Sequence, residues 1–400
     1  MTTDLDTTYA GLRLTAADVL PEDGYAGTLL ARIWNPAVNG PSPAAIRGGG
    51  VYDVSGDFPT VADLCERPDP AAALAAAEGR RVGDVDQFLA GGCARPEDPS
   101  ASRFLAPVDL QPVKAAGVTF VVSMLERLIE ERAAGDPGAA AEARAELTAL
   151  VGGDLKGLRP GSAQAAEVKR LLVERGRWSQ YLEVGLGPDA EIFTKALPLS
   201  AVGVGSRAGV LRSSRWNNPE PEIALIVSSA GAVVGATLGN DINLRDVEGR
   251  SALLLPRAKD NNASCVLGPF IRLFDATCGL DDVRAATVGL SITGRDGYTL
   301  TGSSPHSEIS RDPADLVGQL FGDAHQYPDG AVLMLGTMFA PTEDRDEAGG
   351  GFTHRPGDVV RISTAALGSL VHEVDHSEAC PRWDFGLRKL MTGLARRGLL

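Results

Sequence analysis

The chain has 400 residues, enough to bury a large core and to form one small and one large domain. Its formal net charge of −14 and its lack of a Lys/Arg cluster argue against nucleic acid or an anionic membrane as a partner. The absence of a membrane-length apolar run, the acidic N-terminus and five scattered cysteines without a Cys-x-x-Cys pair predict a cytoplasmic protein with reduced thiols.

The N-terminal region contains short stretches with the composition of β-strands. These are residues 29–34, 44–47 and 51–54, and Gly- and Pro-rich connections separate them. Segments 68–77 and 90–102 are rich in Ala, Gly and Pro, which is typical of surface segments. The sequence therefore predicts a first structural region that ends near residue 102.

Three helices are predicted in the next part of the chain. In a helix over residues 119–132, helical spacing would form one apolar face from Phe120, Val121, Met124, Leu125, Leu128 and Ile129. Residues 139–151 have an Ala/Glu helix pattern, and residues 162–175 form another helix with Ser162 as its N-cap. Beyond residue 181 the pattern changes to short strands separated by Gly, Asn and Asp.

A β-hairpin with three carboxylates is predicted at residues 220–241. Glu220 and Glu222 begin the apolar run 223–227, and side chains two apart on a strand point to the same side. A turn at residues 228–231 would bring Asp241 back opposite the Glu220 end. Three oxygen ligands without His or Cys suit Mg²⁺ or Mn²⁺ better than zinc, so the hairpin predicts such a metal site.

The order of these motifs resembles the fumarylacetoacetate hydrolase superfamily from about residue 104 onwards. The residues that carry the match are Glu220-Pro221-Glu222, segment 238–246, Lys259, segment 265–269, Gly336-Thr337 and segment 357–363. The resemblance implies that Glu220, Glu222 and Asp241 hold the metal. It also implies that Lys259 lies beside the substrate and that Thr337 contacts its oxo-acid end.

One departure from the family pattern narrows the range of reactions expected of this chain. Family members that hydrolyse carbon–carbon bonds carry a His and a Glu that activate water, whereas this chain has Ser123 and Glu126. Serine is not a base at neutral pH unaided. With serine at this position the chain resembles the 2-keto-3-deoxy-pentonate dehydratases. In that branch of the family an active-site glutamate matches Glu191 of this chain. Asn262 replaces a frequent Asp, and the implied catalytic set is Lys259, Glu191, Ser123 and Glu126.

The resemblance predicts a Mg²⁺-dependent hydro-lyase that converts a 2-keto-3-deoxy-pentonate to 2,5-dioxopentanoate. The metal would stabilise the enolate formed when a C3 proton leaves, and loss of the C4 hydroxyl would follow. The base is either Lys259, with a pKa depressed by burial and the nearby cation, or Glu191. Thr337, Arg245 and Asn262 are expected to bind the substrate.

Three alternatives to the dehydratase stay open. An acylpyruvate or fumarylacetoacetate-type hydrolase and an oxo-acid decarboxylase would share the fold, although Ser123 counts against the hydrolase. A non-catalytic scaffold that binds metal or oxo-acids is the third. The sequence leaves sugar length and stereochemistry undetermined.

The resemblance implies an α+β fold with a β-rich, mixed-sheet or barrel-like C-terminal domain and a smaller N-terminal α/β domain. The expected boundaries are 1–103 for the small domain and 104–400 for the catalytic domain, with a helical segment at about 119–176. A homodimer or homotetramer is also implied.

Two further motifs have simpler explanations. His372 and His376 match the His-Glu-x-x-His pattern of zinc proteases, but that chemistry needs a helix and segment 372–376 is predicted to be a strand. On a strand these two residues would be about 13 Å apart. Segment 203–209 resembles a dinucleotide loop, but its last spacing is one residue too long and no helix pattern follows. It is predicted to be a loop near the active site.

Overall fold

The computed structural model describes residues 11–94, 98–134, 136, 158–174, 178–339, 341, 343–346 and 351–400. The predicted helix at 139–151 lies outside the described residues. The described helices are α1 (Ala16–Val19), α2 (Val61–Cys65), α3 (Pro70–Ala76), α4 (Val85–Ala94), α5 (Val121–Ala133), α6 (Ala163–Glu174), α7 (Gln180–Leu186), α8 (Arg245–Glu248), α9 (Leu255–Lys259), α10 (Leu280–Ala285), α11 (Pro313–Leu320) and α12 (Leu387–Arg396).

Strands make up most of the regular secondary structure beyond residue 190. They are β1 (Leu29–Asn35), β2 (Gly40–Arg47), β3 (Gly50–Asp53), β4 (Arg80–Asp84), β5 (Arg103–Leu105), β6 (Val113–Gly117), β7 (Glu191–Ala196), β8 (Arg207–Val210), β9 (Asn217–Asn218), β10 (Pro221–Val227), β11 (Val233–Asp241), β12 (Asn243–Leu244), β13 (Cys265–Leu273), β14 (Thr287–Thr293), β15 (Thr299–Pro305), β16 (Ala331–Met334), β17 (Val359–Thr364) and β18 (Gly368–His376).

Two large mixed sheets form the architecture. The first has eleven strands in the order β4-β3-β2-β1-β13-β11-β10-β16-β6-β7, with β5 pairing on β1. The second has the order β15-β14-β17-β18-β8. Most neighbours are antiparallel, but β16 with β6 and β18 with β8 are parallel. The predicted β-rich α+β fold with mixed sheets is therefore confirmed, and among the described residues both sheets are open rather than closed into a barrel.

The central strands β10, β11 and β13 of the eleven-stranded sheet are buried on both faces over most of their length. Successive residues of β10 contribute to opposite core clusters: Ile223 and Leu225 to one, Ala224 and Ile226 to the other. Burial on both faces explains why residues 223–227 form a continuous apolar run rather than an alternating one. The first cluster fills the space towards the five-stranded sheet, and the hairpin thus lies in the centre of the molecule.

The N-terminal strands join the same sheet as the carboxylate hairpin. Strand β1 pairs with β13, which pairs with β11. The predicted division between residues 103 and 104 falls inside β5 and stays a prediction.

The local predictions for the helices agree with the structure where it describes them. Helix α5 buries Met124, Leu128 and Ile129, and α6 begins after Ser162, whose hydroxyl accepts a hydrogen bond from the Ala165 amide. None of the described helices combines the length and the apolar character needed to cross a membrane. All five cysteines are described, and all are free thiols.

We expect the hairpin core to contribute strongly to stability. Leu238, in β11, is fully buried, so Leu238→Ala should lower the free energy of unfolding by about 2–5 kcal/mol through lost apolar contacts and a residual cavity. Leu253→Ala is the matched control, because Leu253 is 91% exposed and its truncation should change stability by less than about 0.5 kcal/mol. Urea denaturation followed by circular dichroism measures both; equal losses in the two variants would contradict this account.

Candidate active site

The predicted hairpin is present and brings the three carboxylates together. Strands β10 and β11 pair antiparallel with Glu222 opposite Gly239, and the Asp241 amide donates to the Glu220 carbonyl at 3.1 Å. Carboxylate oxygens of Glu220, Glu222 and Asp241 all lie within 4.8 Å of one another, and the three side chains are buried. This cluster is a donor set for a metal ion.

Lys259 lies directly on this cluster, at the end of α9. Its Nζ donates to Glu220 Oε2 and, at 2.9 Å, to Asp241 Oδ2. Burial lowers the pKa of Lys259, but the charges of Asp241 and Glu220 outweigh it and raise the pKa above its ordinary value. This rise applies to the site without a cation, whereas the expected depression refers to the site with a cation bound beside Lys259.

A second buried lysine, Lys195, contacts the same cluster and was missed by the sequence reasoning. Its Nζ lies 2.9 Å from Asp241 Oδ1 and donates to the carbonyls of Ile242 and Lys259. The available signal was a lysine inside the strand that also carries Glu191. The sequence alone does not show which of the charged residues on a strand is buried.

Helix α5 adds two catalytic candidates and one unexpected residue. Ser123, Glu126 and Arg127 lie on one face of the helix, because residues three and four apart are neighbours there. The Arg127 guanidinium pairs with Glu220 Oε1 at 2.8 Å and with Glu248 Oε2 at 2.7 Å. The sequence reasoning missed Arg127 and Glu248, whose partners are 93 and 121 residues away.

Ser123 is not arranged as a base. Its hydroxyl donates to the Phe120 carbonyl at 2.8 Å and accepts from the Phe120 amide at 3.2 Å. These contacts at the start of α5 stabilise the helix end. Ser123 nonetheless lines the cavity next to the carboxylates.

Glu191, the first residue of β7, also lines the cavity. Burial raises the pKa of Glu191, and the charges of Arg127 and Lys259 oppose that rise. Gly117, opposite Glu191 in the neighbouring strand β6, provides the space for the carboxylate, because a Cβ there would lie 2.1 Å from Glu191 Oε2.

The turn after β16 completes the cavity wall. The Gly336 amide donates to Glu222 Oε2 at 2.7 Å, and Thr337 lines the cavity while its hydroxyl accepts from the Phe339 amide. Gly336 has a φ of +87°, and a Cβ there would lie 2.1 Å from the Thr119 hydroxyl oxygen. Any other residue would displace this turn from Glu222.

Two residues expected to bind substrate lie outside the cavity lining. Arg245 pairs with Glu126 at 3.1 Å and stacks on the Trp216 ring at 4.4 Å, so it supports the cavity wall from behind. The Asn262 amide donates to the carbonyls of Ser377 and Pro381, and Asn262 lines a different cavity. The structure thus brings Thr337, but not Asn262, to the carboxylates.

Charge at the cavity matches a divalent cation. Of the described residues, six carboxylates line it: Glu126, Glu191, Glu220, Glu222, Asp241 and Glu248. Four cationic side chains pair with or face them: Arg127, Lys195, Arg245 and Lys259. Burial raises the pKa of Glu222 well above its usual value, and the neighbouring charges of Asp241 and Glu220 add to that rise. With all of these groups ionised, six carboxylates and four cations would leave an excess of two negative charges. A hard divalent ion bound by oxygen ligands would neutralise that excess.

The His-Glu-x-x-His segment is a strand, as predicted. It forms β18, and the buried His372 lies with Nε2 3.0 Å from the Asn240 side-chain nitrogen. Burial lowers the pKa of His372 to about 3. The His372 imidazole contacts Asn240 of β11 and does not form a zinc site with His376. The prediction of a loop near the active site at residues 203–209 is wrong, because residues 207–209 pair with β18 as part of β8. Gly203, Val204, Ser206 and Arg207 line a separate cavity of about 800 Å³ near α12.

Metal binding should depend on Glu222. Glu222→Gln removes one ligand charge from the buried set, so the dissociation constant for Mn²⁺ or Mg²⁺ should rise at least about tenfold. Titration calorimetry of the purified chain measures this. Glu308→Gln, at an exposed position, is the control and should bind as the unmodified protein does. Unchanged affinity in Glu222→Gln would show that the three carboxylates are not the ligand set.

Comparison with known proteins agrees with this geometry. Residues 201–375 match the family described as Fumarylacetoacetate (FAA) hydrolase C-terminal. A 2-dehydro-3-deoxy-D-arabinonate dehydratase from Saccharolobus solfataricus is 30% identical over 184 residues, which cover 46% of this chain and 58% of that protein. A Haloferax volcanii protein named "Probable 2-keto-3-deoxyxylonate dehydratase" is 31% identical over 195 residues, covering 48% of this chain and 63% of that protein. The matches thus span less than two thirds of these relatives.

Solved structures show the same fold. A 2-keto-3-deoxy-D-arabinonate dehydratase in its apo form has a TM-score of 0.61 and 22% identity, covering 87% of this chain and 99% of the other. The same values hold for a 2-keto-3-deoxy-D-arabinonate dehydratase complexed with magnesium and 2,5-dioxopentanoate. The carboxylate cluster, Lys259 and Thr337 all fall inside the matched residues 201–375. The match to the fumarylacetoacetate hydrolase family thus covers residues 201–375, and the carboxylate cluster that could hold a metal ion lies within these residues.

Proposed function

We propose that this protein is a Mg²⁺-dependent dehydratase that removes water from a 2-keto-3-deoxy-pentonate to give 2,5-dioxopentanoate. The observation that carries the proposal is the buried cluster of Glu220, Glu222 and Asp241 with Lys259 against it. The two curated relatives, both named as dehydratases of 2-keto-3-deoxy-pentonates, support the substrate class. Residence in the cytoplasm and assembly into a homodimer or homotetramer remain predictions.

The chemistry divides between the cation site and the cavity wall. When bound, Mg²⁺ would polarise the 2-oxo group of the substrate as a Lewis acid and so acidify the neighbouring C3–H bond. Glu220, Glu222 and Asp241 would hold the ion through oxygen ligands, with Mn²⁺ as the chemically similar substitute. Lys259 places a positive charge beside the same oxygens, and Thr337 lines the same cavity.

We assign the proton transfer to Glu191 and keep Lys259 as the fixed positive charge. The ammonium of Lys259 donates to both Glu220 and Asp241, and this geometry offers Lys259 as a charge beside the ligands rather than as a base. Glu191 lines the same cavity, and burial raises its pKa towards the range in which a carboxyl both accepts and returns a proton. In the proposed reaction Glu191 takes the C3 proton and passes it to the C4 hydroxyl, so that the C4–O bond breaks and water leaves. The unsaturated 2-oxo acid that results loses a proton from C5 and gains one at C3, and the enol so formed tautomerises to 2,5-dioxopentanoate.

The arrangement of Ser123 favours a dehydratase over a hydrolase. Hydrolysis of a carbon–carbon bond needs an activated water, and the Ser123 hydroxyl is already engaged with the Phe120 backbone. Dehydration requires no water as reactant. An acylpyruvate hydrolase of the same fold is the second candidate, supported by Glu126 at the cavity, and an oxo-acid decarboxylase is a third.

Substrate turnover tests the proposal directly. Purified protein with a 2-keto-3-deoxy-pentonate should form 2,5-dioxopentanoate in Mg²⁺ and lose that activity in EDTA, as measured by mass spectrometry. A parallel assay on an acylpyruvate tests the rival hydrolase. Turnover of the acylpyruvate alone would reject the dehydratase, and turnover of neither compound would leave a metal-binding scaffold as the better description.

The pH profile tests the role of Glu191. Because the pKa of this carboxyl is raised and the base form is the carboxylate, kcat should rise with pH, with a midpoint above the ordinary value of 4.5. Glu191→Gln should lower kcat by about 10²–10⁴-fold and remove this limb of the profile. Glu308→Gln should keep both the rate and the limb. A Glu191→Gln variant that retained the limb would assign the titration to another group.

A further inference from the structure

Lys195 occupies an unusual position at the junction of three backbone segments. Its side chain is fully buried, and Nζ lies 2.9 Å from Asp241 Oδ1 and 3.0 Å from the Ile242 carbonyl. The same nitrogen donates to the carbonyl of Lys259 and lies 3.4 Å from the Ser264 hydroxyl. One ammonium group thus contacts both Asp241, a candidate metal ligand, and the carbonyl of Lys259.

The backbone of β7 is distorted at this residue. Along the pairing of β6 with β7, Ala196 is opposite Val113 and Thr194 is opposite Lys114, so Lys195 is the extra residue of a bulge. A bulge re-aims a side chain relative to the regular alternation of a strand. Here the bulge falls on Lys195, whose ammonium reaches Asp241.

Stability alone is a weak explanation for this lysine. Removing a lysine and an aspartate from water is energetically costly, and their attraction offsets that cost only with good geometry and further hydrogen bonds. An apolar residue at this point of the core would avoid the cost. What an apolar residue lacks is the ability to hold a carboxylate oxygen and a carbonyl oxygen at a common point.

We propose that Lys195 is a positioning residue of the cation site: it holds Asp241 by Oδ1, so that Asp241 meets Glu220 and Glu222, and it fixes the carbonyl of Lys259. The inference rests on the cation site of the proposed function but not on the identity of the substrate. Lys195 does not line the cavity and acts through Asp241 and Lys259. Loss of such an outer contact lowers metal affinity by about 10–100-fold.

Metal titration of matched lysine variants tests this role. Lys195→Gln and Lys195→Met remove the ammonium, and calorimetric titration with Mn²⁺ should give dissociation constants about 10–100-fold above that of the unmodified protein. Lys114→Gln and Lys114→Met are the controls. Lys114 lies on the adjacent strand β6 and its Nζ donates to Thr194 at 2.7 Å, away from the carboxylates. These controls should bind Mn²⁺ with unchanged affinity.

The dependence of activity on metal concentration gives a second readout. If turnover is found, the activity of Lys195→Gln should recover towards the control level as Mg²⁺ is raised, because the defect is in presenting Asp241 to the ion. A purely structural defect would not respond in this way. If the protein binds Mn²⁺ but fails to dehydrate the pentonate, the proposed function fails while the role of Lys195 is still decided by the titration.

The outcomes separate clearly. Weaker Mn²⁺ binding in either Lys195 variant, with near-ultraviolet circular dichroism equal to that of the Lys114 controls, supports the proposal. Unchanged affinity in a folded Lys195 variant overturns it. If neither variant folds, Lys195→Arg, which keeps the charge but replaces the compact ammonium with a planar group, is titrated instead. Unchanged affinity or failure to fold in that variant too would overturn the positioning role, leaving Lys195 as a structural residue of the core.

Discussion

Repulsion among buried carboxylates is the constraint around which this molecule is organised. Three of them approach within 4.8 Å in a region from which water is largely excluded. At that separation and in a low dielectric, like charges repel strongly unless cations stand between them. Lys195, Lys259 and Arg127 supply those cations, each from a different segment of the chain. The negative charge that remains is what a divalent ion would neutralise.

Burial of β10 and β11 on both faces of the sheet makes this arrangement possible. Core clusters on either side of β10 and β11 hold the hairpin rigid, so the carboxylates at its open end cannot separate to relieve their repulsion. The Gly336 amide and the β7 bulge at Lys195 then act as fixed electrostatic partners. Rigid elements with fixed dipoles provide a site that needs little rearrangement when charge develops on a substrate.

The two acid–base candidates differ because their surroundings differ. Lys259 donates to two carboxylates and stays charged, whereas Glu191 lies in the same cavity with burial as the main influence on its pKa. The pKa of a group follows from such contacts and not from its type. These different contacts are the physical basis on which we propose Glu191, rather than Lys259, as the group that transfers the proton.

The local features of the site were predictable from the sequence. Glu220 and Glu222 share a face because strand side chains alternate, and the turn at residues 228–231 returns Asp241 to them; both follow from short-range rules. Helix α5 follows from its apolar periodicity. The motif order also pointed to the family domain at residues 201–375. Arg127, Glu248 and Lys195 were not predictable in this way.

Their roles depend on contacts between segments far apart in the chain. Lys195 is 46 residues from Asp241 in sequence, and Arg127 is 93 residues from Glu220. Asn262 shows the converse, since it follows Lys259 closely but the turn after α9 directs its amide to Ser377. Periodicity and turn chemistry therefore determined the hairpin, its carboxylates and the helix. Only tertiary packing decided which cations meet those carboxylates, because burial and charge pairing depend on every segment that surrounds a side chain.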